Sequence, residues 1–301
     1  MITKAVIPVA GIGTRLMPLT KAIPKEMLPL LDKPVIQWTV EELVDSGIDD
    51  ITIVVSLRKV LVQQHFAPDD DLNAQLHAVG KPALAEALVA VSSKAKIKYV
   101  YQDGPYGNGT AVLNAARTIG REPFLVLWSD ELFTSVVPRA RQLLDAYERM
   151  NAPVIGLIPV ERASVSRYGI PVLEEDLGSG LFRLSEVVEK PAIADAPSDY
   201  ASIGGYVVTP EIVDELERAV QRWASDPSVE IYLSAAITAY AKANPTYGQV
   251  IEGIWWDTGD MLGYLRTQFS LALRHEEYGP DLLKLMTEYA ESQNLGRGSG
   301  A

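Results

Sequence analysis

The chain has 301 residues, and its 27 Lys and Arg residues against 39 Asp and Glu residues give a formal net charge of −12. It has no cysteine, which excludes disulfide bonds and thiolate catalysis, and an acidic balance without a basic stripe argues against nucleic acid as a partner. We find no signal-peptide pattern and no apolar segment of membrane-spanning length, so we expect a cytoplasmic protein without membrane contact.

The first predicted element is a buried strand that leads into a glycine-rich loop. Residues 4–9 are apolar and β-branched, which is typical of such a strand. In the loop, Gly11 and Gly13 let backbone N–H groups approach a phosphate closely, and Arg15 and Lys25 add positive charge. The spacing fits neither G-x-G-x-x-G, whose third glycine is missing, nor the P-loop. The loop is predicted to bind a nucleotide.

Strand-like and helix-like segments then alternate through the first half of the chain. Strands are predicted at 4–9, 51–55, 97–101, 124–128 and 154–160. Helices are predicted at 35–45, 58–66, 82–92, 108–119, with Asn108 as N-cap, and 138–150. This alternation predicts a parallel sheet with helices on both faces.

From about residue 168 the pattern becomes richer in strands. Strands are predicted at 169–173, 181–189, 202–209 and 248–252, and helices at 210–223, 231–243, 260–274 and 280–292. We predict one domain, 1–292, with a nucleotide-binding part (about 1–165), a sugar-binding part (about 166–259) and C-terminal helices (260–292). Residues 293–301 are predicted to be a disordered tail.

Two aspartates stand where strand ends would bring carboxylates to the nucleotide. In an open parallel sheet, ligands bind beyond the carboxyl ends of the strands. Asp130 follows the strand at 124–128, and Asp257 lies in a turn rich in tryptophan and glycine. Two aspartates beside a triphosphate are ordinary ligands of Mg²⁺, although each alone is as typical of a turn or cap. The three histidines, at 65, 77 and 275, are scattered and are expected to be structural or surface residues.

The glycine-rich loop also carries a family resemblance. Residues 11–34 read GIGTRLMPLTKAIPKEMLPLLDKP and resemble the signature of the sugar nucleotidyltransferases, GxGTRxxPxT followed by KEMLP and DKP. The KAIPKEMLP part is similar to the bacterial UTP–glucose-1-phosphate uridylyltransferase branch, whereas thymidylyltransferases usually have a KQLLP-like continuation. The resemblance covers roughly residues 3 to 275. It implies a Rossmann-like α/β fold, a mixed, mainly parallel sheet flanked by helices, with a small sugar-binding β lobe and C-terminal helices.

The resemblance assigns roles to the residues at matching positions. The nucleotide-binding residues that it implies lie in the first loop and in the Q-x-x-x-x-G-x-G stretch; they are Ala10, Gly11, Gly13, Thr14, Glu26, Gln102 and Gly107. The sugar-binding residues that it implies include the V-E-K-P stretch; they are Glu189, Lys190, Gly204 and Glu230. It implies Arg15, Lys25, Asp130 and Lys190 as catalytic residues, and Asp130 and Asp257 as the Mg²⁺ ligands.

The reaction that the resemblance implies is transfer of a uridylyl group from UTP to glucose 1-phosphate, giving UDP-glucose and pyrophosphate. Arg15 and Lys25 would hold the triphosphate, and Lys190 would position the attacking phosphate. No general base is needed, because a phosphate monoester is already ionised at pH 7. We also expect a homo-oligomer, a dimer or a tetramer.

Several positions depart from the family pattern near the sugar and the metal. Gly205 stands where the family has arginine, Ser129 replaces the proline before the metal-binding aspartate, and the segment 228–237 lacks two acidic residues. The hexose and the choice between uracil and thymine therefore stay open. The alternatives are a thymidylyltransferase, a uridylyltransferase for another hexose phosphate, and an inactive homologue that only binds nucleotide sugars.

Overall fold

The computed structural model describes residues 1–223 and 229–297. Its strands are β1 (Lys4–Pro8), β2 (Pro29–Leu30), β3 (Lys33–Pro34), β4 (Asp50–Val55), β5 (Lys96–Tyr101), β6 (Phe124–Val126), β7 (Glu131–Thr134), β8 (Val154–Pro159), β9 (Gly169–Asp176), β10 (Leu181–Glu189), β11 (Tyr200–Val208), β12 (Tyr247–Val250) and β13 (Ile254–Asp257). Its helices are α1 (Val35–Asp45), α2 (Val60–Phe66), α3 (Asp70–Ala78), α4 (Pro82–Ser93), α5 (Asn108–Ile119), α6 (Arg139–Met150), α7 (Pro210–Trp223), α8 (Leu233–Ala241), α9 (Met261–Arg274) and α10 (Gly279–Arg297).

Nine of these strands form one sheet, in the order β5-β4-β1-β6-β11-β8-β12-β10-β9. Strands β11 and β10 pair antiparallel with their neighbours, and the other seven strands run in one direction. The predicted fold class, a mixed and mainly parallel sheet, is confirmed. Strands β9 to β12 extend this same sheet, so the predicted sugar-binding lobe is continuous with the nucleotide-binding part. Two short ribbons, β7–β13 and β2–β3, lie outside the sheet.

Helices cover both faces of the sheet because its strands are apolar on both sides. In β1, Ala5 and Ile7 pack into one core cluster with side chains of α1, α2 and α6, whereas Val6 packs into a second cluster with α5, α7 and α8. Successive side chains of a strand point to opposite faces, so one continuous apolar run can serve both cores. The loops that follow the strands are thereby held at one edge of a rigid layer.

The structure corrects the sequence prediction in several places. Helix α3 was not predicted because its apolar pattern is weak. None of its residues is buried in the structure. The stretch around Asp257, predicted as a turn, is strand β13. Asn108 does not cap α5: Gly107 is the N-cap, and Asn108 Oδ1 instead accepts the N–H of Leu233 at 2.8 Å.

Helix α10 continues to Arg297, so residues 293–297 of the predicted disordered tail are helical, and residues 298–301 lie outside the described residues. Within the described ranges, no helix is both long and apolar enough to cross a membrane. Helix α10 exposes more than half of the side chains of Leu283 and Leu285. The expected homo-oligomer stays a prediction.

A buried ion pair joins the helix layer to ribbon strand β7. Arg139, at the start of α6, is fully buried and makes two hydrogen bonds to Glu42 of α1, at 2.7 and 3.1 Å. Its third contact goes to the backbone carbonyl of Glu131, the first residue of β7, at 2.9 Å. Glu42 also accepts the N–H of Ala140 in the first turn of α6, where a carboxylate is favourable. This pair fixes where β7 begins.

We predict that Arg139→Met lowers the free energy of unfolding by about 3–5 kcal/mol, because it leaves Glu42 with an uncompensated buried charge. Urea unfolding at neutral pH measures the change. Arg141→Met, on the same helix but in a surface pair with Asp145, is the matched control and is expected to cost less than about 1 kcal/mol. Equal effects of the two substitutions would contradict a structural role for the buried pair.

Candidate active site

Three cavities open around the loops that follow the parallel strands, and two of them contain most of the predicted site residues. The loop cavity, of about 440 Å³, lies under the glycine-rich loop; among the predicted site residues it is lined by Ala10, Gly11, Lys25, Glu26, Gln102, Gly107, Asp130 and Glu230. The acidic cavity, of about 270 Å³, is lined by four carboxylates, Asp130, Glu131, Glu189 and Asp257, and by two arginines, Arg15 and Arg167. Asp130 lines both cavities, so it marks the point where their contents would meet.

The glycine-rich loop is held open by a left-handed glycine. Gly13 has φ +75°, which favours glycine, and its carbonyl accepts the hydroxyl of Thr20 at 2.8 Å. Thr14 then begins a 3₁₀ turn that ends at the fully buried Leu16. Gly13 and Thr14 do not line either cavity, so their part is to shape the loop and to direct Arg15 towards the acidic cavity.

Lys25 and Asp130 form an ion pair at the junction of the two cavities. Lys25 Nζ lies 2.5 Å from Asp130 Oδ2, and about a fifth of each side chain is exposed. Burial is the largest single influence and acts to raise the pKa of Asp130, but the charge and hydrogen bond of Lys25, a backbone hydrogen bond and the charge of Arg15 together hold that pKa below its usual value. Burial likewise acts to lower the pKa of Lys25, and Asp130 and Glu26 raise it overall. Both groups are therefore charged at neutral pH.

Glu26 supplies a buried acceptor to the loop cavity. It is 1% exposed, and Lys59 Nζ donates to its Oε2 at 2.7 Å. Within the described residues its Oε1 has no hydrogen-bond partner, and an unsatisfied buried acceptor of this kind costs free energy unless a ligand satisfies it. Burial raises the pKa of Glu26 above its usual value, because its effect exceeds the lowering by the charges of Lys59 and Lys25.

The far wall of the loop cavity is closed by a clip of backbone hydrogen bonds. Ile231 donates its N–H to Tyr106 O at 3.0 Å, and its carbonyl accepts the N–H of Gly109 at 2.9 Å. Between them, Gly107 has φ +136°, and a Cβ there would lie 2.2 Å from the Ile231 carbonyl oxygen. Gln102 Nε2 makes a long contact of 3.4 Å to the Gly107 carbonyl, so its amide is available to a ligand.

The two predicted metal-binding aspartates converge in the acidic cavity. Strands β7 and β13 pair so that Asp257 stands opposite Glu131, and the Thr258 N–H donates to the Asp130 carbonyl at 2.9 Å. A Cβ at Gly259 would lie 2.9 Å from Arg15 Nη2, 3.0 Å from Asp257 Oδ1 and 3.2 Å from Asp130 Oδ2. The glycine thus leaves room for three charged groups to meet.

This donor set fits Mg²⁺ bound together with phosphates. Within residues 1–223 and 229–297 there is no cluster of three or more His, Cys, Asp or Glu residues that could hold a metal ion alone. Mg²⁺ is usually bound by one or two carboxylates, with substrate phosphates and waters completing its octahedron. Burial, followed by the charge of Asp130, raises the pKa of Asp257, a repulsion that a cation between them would relieve.

Glu131 is a cavity residue that the sequence prediction missed. Its Oε2 accepts the N–H of Gly204 at 2.9 Å. Burial, followed by the neighbouring charges of Asp130 and others, raises its pKa to about 8. On the same face of the β7–β13 ribbon, Trp255 lines the cavity, and within the described residues its indole N–H has no partner. An acidic residue directly after Asp130 was the available sequence signal.

The four residues predicted to bind the sugar are placed differently from one another. Glu189 lines the acidic cavity, where the hydroxyl of Ser234 donates to it at 3.2 Å. Lys190 lines neither cavity; it has φ +47°, its side chain is 56% exposed, and its Nζ lies 4.0 Å from Glu189 Oε1. Gly204 lies behind Glu131, and Glu230 lines the loop cavity instead of the acidic one.

The departure at Gly205 has a physical reason in the structure. The residue has φ +121°, and a Cβ there would lie 2.5 Å from Leu127 Cδ2 and 2.8 Å from the Val126 carbonyl. A side chain at this position would therefore run into the core beside β6. This backbone conformation cannot accommodate an arginine at position 205. A cation for the predicted sugar-binding part would therefore have to lie on another element.

Comparison with known proteins gives consistent matches over almost the whole chain. Residues 4–272 match the family model described as nucleotidyl transferase. The UTP–glucose-1-phosphate uridylyltransferase of Streptococcus pneumoniae serotype 4 is 40% identical over 285 residues, which are 93% of this chain and 94% of the relative.

Two solved structures show the same fold with ligands named in their descriptions. A UTP-bound UGPase from Acinetobacter baumannii has a TM-score of 0.87 and 30% identity, covering 96% of this chain and 99% of its own. A UDP-glucose pyrophosphorylase complexed with UDP-glucose has a TM-score of 0.79 and 30% identity, covering 91% of this chain and all of its own.

We predict that Gly107→Ala destabilises the protein by about 1–3 kcal/mol, because the added methyl group overlaps the Ile231 backbone and must break the clip. Thermal unfolding followed by circular dichroism measures the change. Gly104→Ala is the control, since Gly104 also has positive φ (+113°) but its Cβ would meet only the methyl of Thr110, at 3.4 Å. A control that loses as much stability would show that backbone strain alone, without the overlap, explains the loss.

Proposed function

The chain belongs to the nucleotidyl transferase family, and on this premise we propose that it transfers a uridylyl group from UTP to glucose 1-phosphate, forming UDP-glucose and pyrophosphate. The observation that carries the proposal is that the loop cavity and the acidic cavity share Asp130. A nucleotide in one cavity and a sugar phosphate in the other would meet beside this carboxylate. The names of the relatives give the reaction that fits this arrangement.

The loop cavity is proposed to bind the uridine part of UTP. The amide of Gln102 offers a donor and an acceptor to the edge of a pyrimidine, and the free Oε1 of Glu26 offers a second, buried acceptor. The clip between Ile231 and the Gly107 loop limits the width of the cavity. A purine would need more room and would leave polar edges unpaired.

The phosphates are proposed to lie between the two cavities, where the charged residues converge. Arg15 and Lys25 would hold the triphosphate and stabilise the negative charge that develops on the departing pyrophosphate. A divalent cation held by Asp130 and Asp257, which we propose to be Mg²⁺, supplies charge neutralisation to the phosphate oxygens when bound. Lys25, whose amine lies 2.5 Å from Asp130, would be placed to donate to a phosphate oxygen when Asp130 and Asp257 hold the cation.

The acidic cavity is proposed to bind glucose 1-phosphate. Glu189 and Glu131 can accept hydrogen bonds from ring hydroxyls, and Lys190, which follows Glu189 in the chain, would hold the phosphate. The phosphate is already ionised at neutral pH, so the enzyme contributes alignment for in-line attack on the α-phosphorus rather than a general base. Cations beside each of the two anions would reduce the repulsion between them.

We predict that, in a matrix of five nucleoside triphosphates and three hexose 1-phosphates, UTP with glucose 1-phosphate gives the highest kcat/KM, measured by pyrophosphate release. ATP and GTP should fall at least about 100-fold below UTP, because a mispaired buried polar edge and the larger ring both cost free energy. The margin over dTTP should be smaller, since one methyl group is worth only about 1–3 kcal/mol.

Higher activity with dTTP than with UTP would favour a thymidylyltransferase. Higher activity with another hexose phosphate would favour a uridylyltransferase for that sugar. No turnover with any pair, from a protein that still binds UDP-glucose, would favour the inactive homologue. Each outcome names a different function, so the matrix separates all three from the proposal.

We predict that Asp130→Asn lowers kcat/KM at least about 100-fold, because it removes a metal ligand's charge while keeping its volume. The midpoint of thermal unfolding should change by less than about 3 °C, because the loss of the Lys25 pair is offset by relief of the repulsion between Asp130 and its neighbours Glu131 and Asp257. Asp214→Asn, in a surface pair with Arg121, is the control and should leave kinetics unchanged. An Asp130→Asn variant with normal turnover and an unchanged Mg²⁺ requirement would contradict the metal role.

A further inference from the structure

Arg167 is a cationic residue of the acidic cavity that the predicted site residues do not include. It ends the 3₁₀ turn Arg162–Arg167, and strand β9 begins two residues later. Half of its side chain is exposed, and it lines the cavity with Asp257 and Glu189. Because Gly205 excludes an arginine at the position where the family has one, Arg167 is a cation that another element brings to the sugar side.

Two carboxylates hold the guanidinium of Arg167 at the cavity. Its Nη2 lies 3.0 Å from Asp260 Oδ2 and 3.6 Å from Asp257 Oδ2. Asp260 is itself fixed, because its Oδ1 accepts the N–H of Gly263 at 2.9 Å and caps helix α9. This cap bond and, to a smaller extent, the charge of Arg167 lower the pKa of Asp260, against the opposing effect of burial. Arg167 is therefore positioned by a charged and immobile partner.

The backbone places Arg167 beside Lys190. The N–H of Lys190 donates to the carbonyl of Tyr168 at 2.9 Å, so the start of β9 and the end of β10 lie side by side. A Cβ on Gly259 would lie 2.9 Å from Arg15 Nη2 and 3.0 Å from Asp257 Oδ1, which places Arg15 near the Oδ1 side of Asp257, whereas Arg167 lies 3.6 Å from Oδ2. The two arginines of the acidic cavity thus lie on different sides of Asp257, and Lys190, which lines neither cavity, lies next to the strand that follows Arg167.

We infer that Arg167 binds the phosphate of the sugar 1-phosphate together with Lys190, an inference that rests on the proposed function. Two anionic substrates must approach each other, and each needs its own cations. Arg15 and Lys25 belong to the triphosphate side, and Arg167 and Lys190 lie on the sugar side. A guanidinium has five donors, so Arg167 can keep Asp260 and still donate to phosphate oxygens. A cation on Asp257 would weaken that residue's attraction for Arg167 and free the guanidinium.

The kinetic test compares Arg167→Met and Arg167→Lys with the wild type. Arg167→Met should raise the KM for glucose 1-phosphate at least tenfold and change the KM for UTP less than twofold. Arg167→Lys keeps a point charge, so its KM for glucose 1-phosphate should lie between those of the wild type and Arg167→Met. Arg162→Met is the matched control, because Arg162 lies in the same turn but pairs with Asp199 and the Ala196 carbonyl, outside both cavities.

The binding test uses ligands that differ by one phosphate and needs no turnover. The phosphate of the sugar 1-phosphate becomes the β-phosphate of the product. Arg167→Met should therefore raise the Kd for UDP and for UDP-glucose at least tenfold, as measured by titration calorimetry. UMP, which lacks that phosphate, should bind to the variant as it does to the wild type. If Arg167 acted only in folding, the substitution would weaken the binding of UDP, UDP-glucose and UMP equally.

The outcomes separate this inference from the proposed function. A wild type that forms UDP-glucose, with an Arg167→Met variant of unchanged KM for glucose 1-phosphate and unchanged UDP affinity, would overturn the inference alone. A rise confined to the KM for UTP would also overturn it. A wild type that forms no UDP-glucose would overturn the proposed function. If Arg167→Met does not fold, Arg167→Lys and Arg167→Gln carry the same comparison.

Discussion

The arrangement of this site depends on one constraint: two of its cations, Lys25 and Arg167, are paired with carboxylates before any substrate arrives. Lys25 lies 2.5 Å from Asp130, and Arg167 lies 3.0 Å from Asp260 and 3.6 Å from Asp257. In a chain with a net charge of −12, this pairing keeps local cations beside acidic groups that would otherwise repel two polyanionic substrates. The proposed chemistry would exchange these partners: Asp130 and Asp257 would hold a divalent cation that supplies charge neutralisation, and Lys25 and Arg167 would donate to phosphate oxygens.

The fold makes such an exchange possible by holding the two sets of charges on different elements. The glycine-rich loop after β1 carries Lys25, the end of β6 leads to Asp130, and the β7–β13 ribbon brings Asp257 to it. The ribbon is in turn anchored by the buried Arg139, whose contact with the Glu131 backbone ties it to the helix layer. The positions of the charged groups are thus set by packed structure rather than by the loops alone.

Much of this could be predicted from the sequence, since the evidence was local. The strand and helix order of the first half follows from apolar periodicity, and the glycine-rich loop carries its own signature. The β7–β13 ribbon could not be predicted, because two four-residue strands more than a hundred residues apart pair only through tertiary contacts. Two other features could be seen only in the folded chain, for the same reason. They are the position of Arg167 beside Asp257 and the location of Glu230 in the loop cavity.

The most direct test of the account is a crystal structure of the protein with Mg²⁺, a non-hydrolysable UTP analogue and glucose 1-phosphate. The measured quantity is the distance between Lys25 Nζ and the carboxylate of Asp130. The account predicts that this pair separates, with Asp130 and Asp257 on the cation and Lys25 on a phosphate oxygen. A Lys25–Asp130 pair still 2.5 Å apart, with the cation held only by phosphates or by other residues, would contradict it.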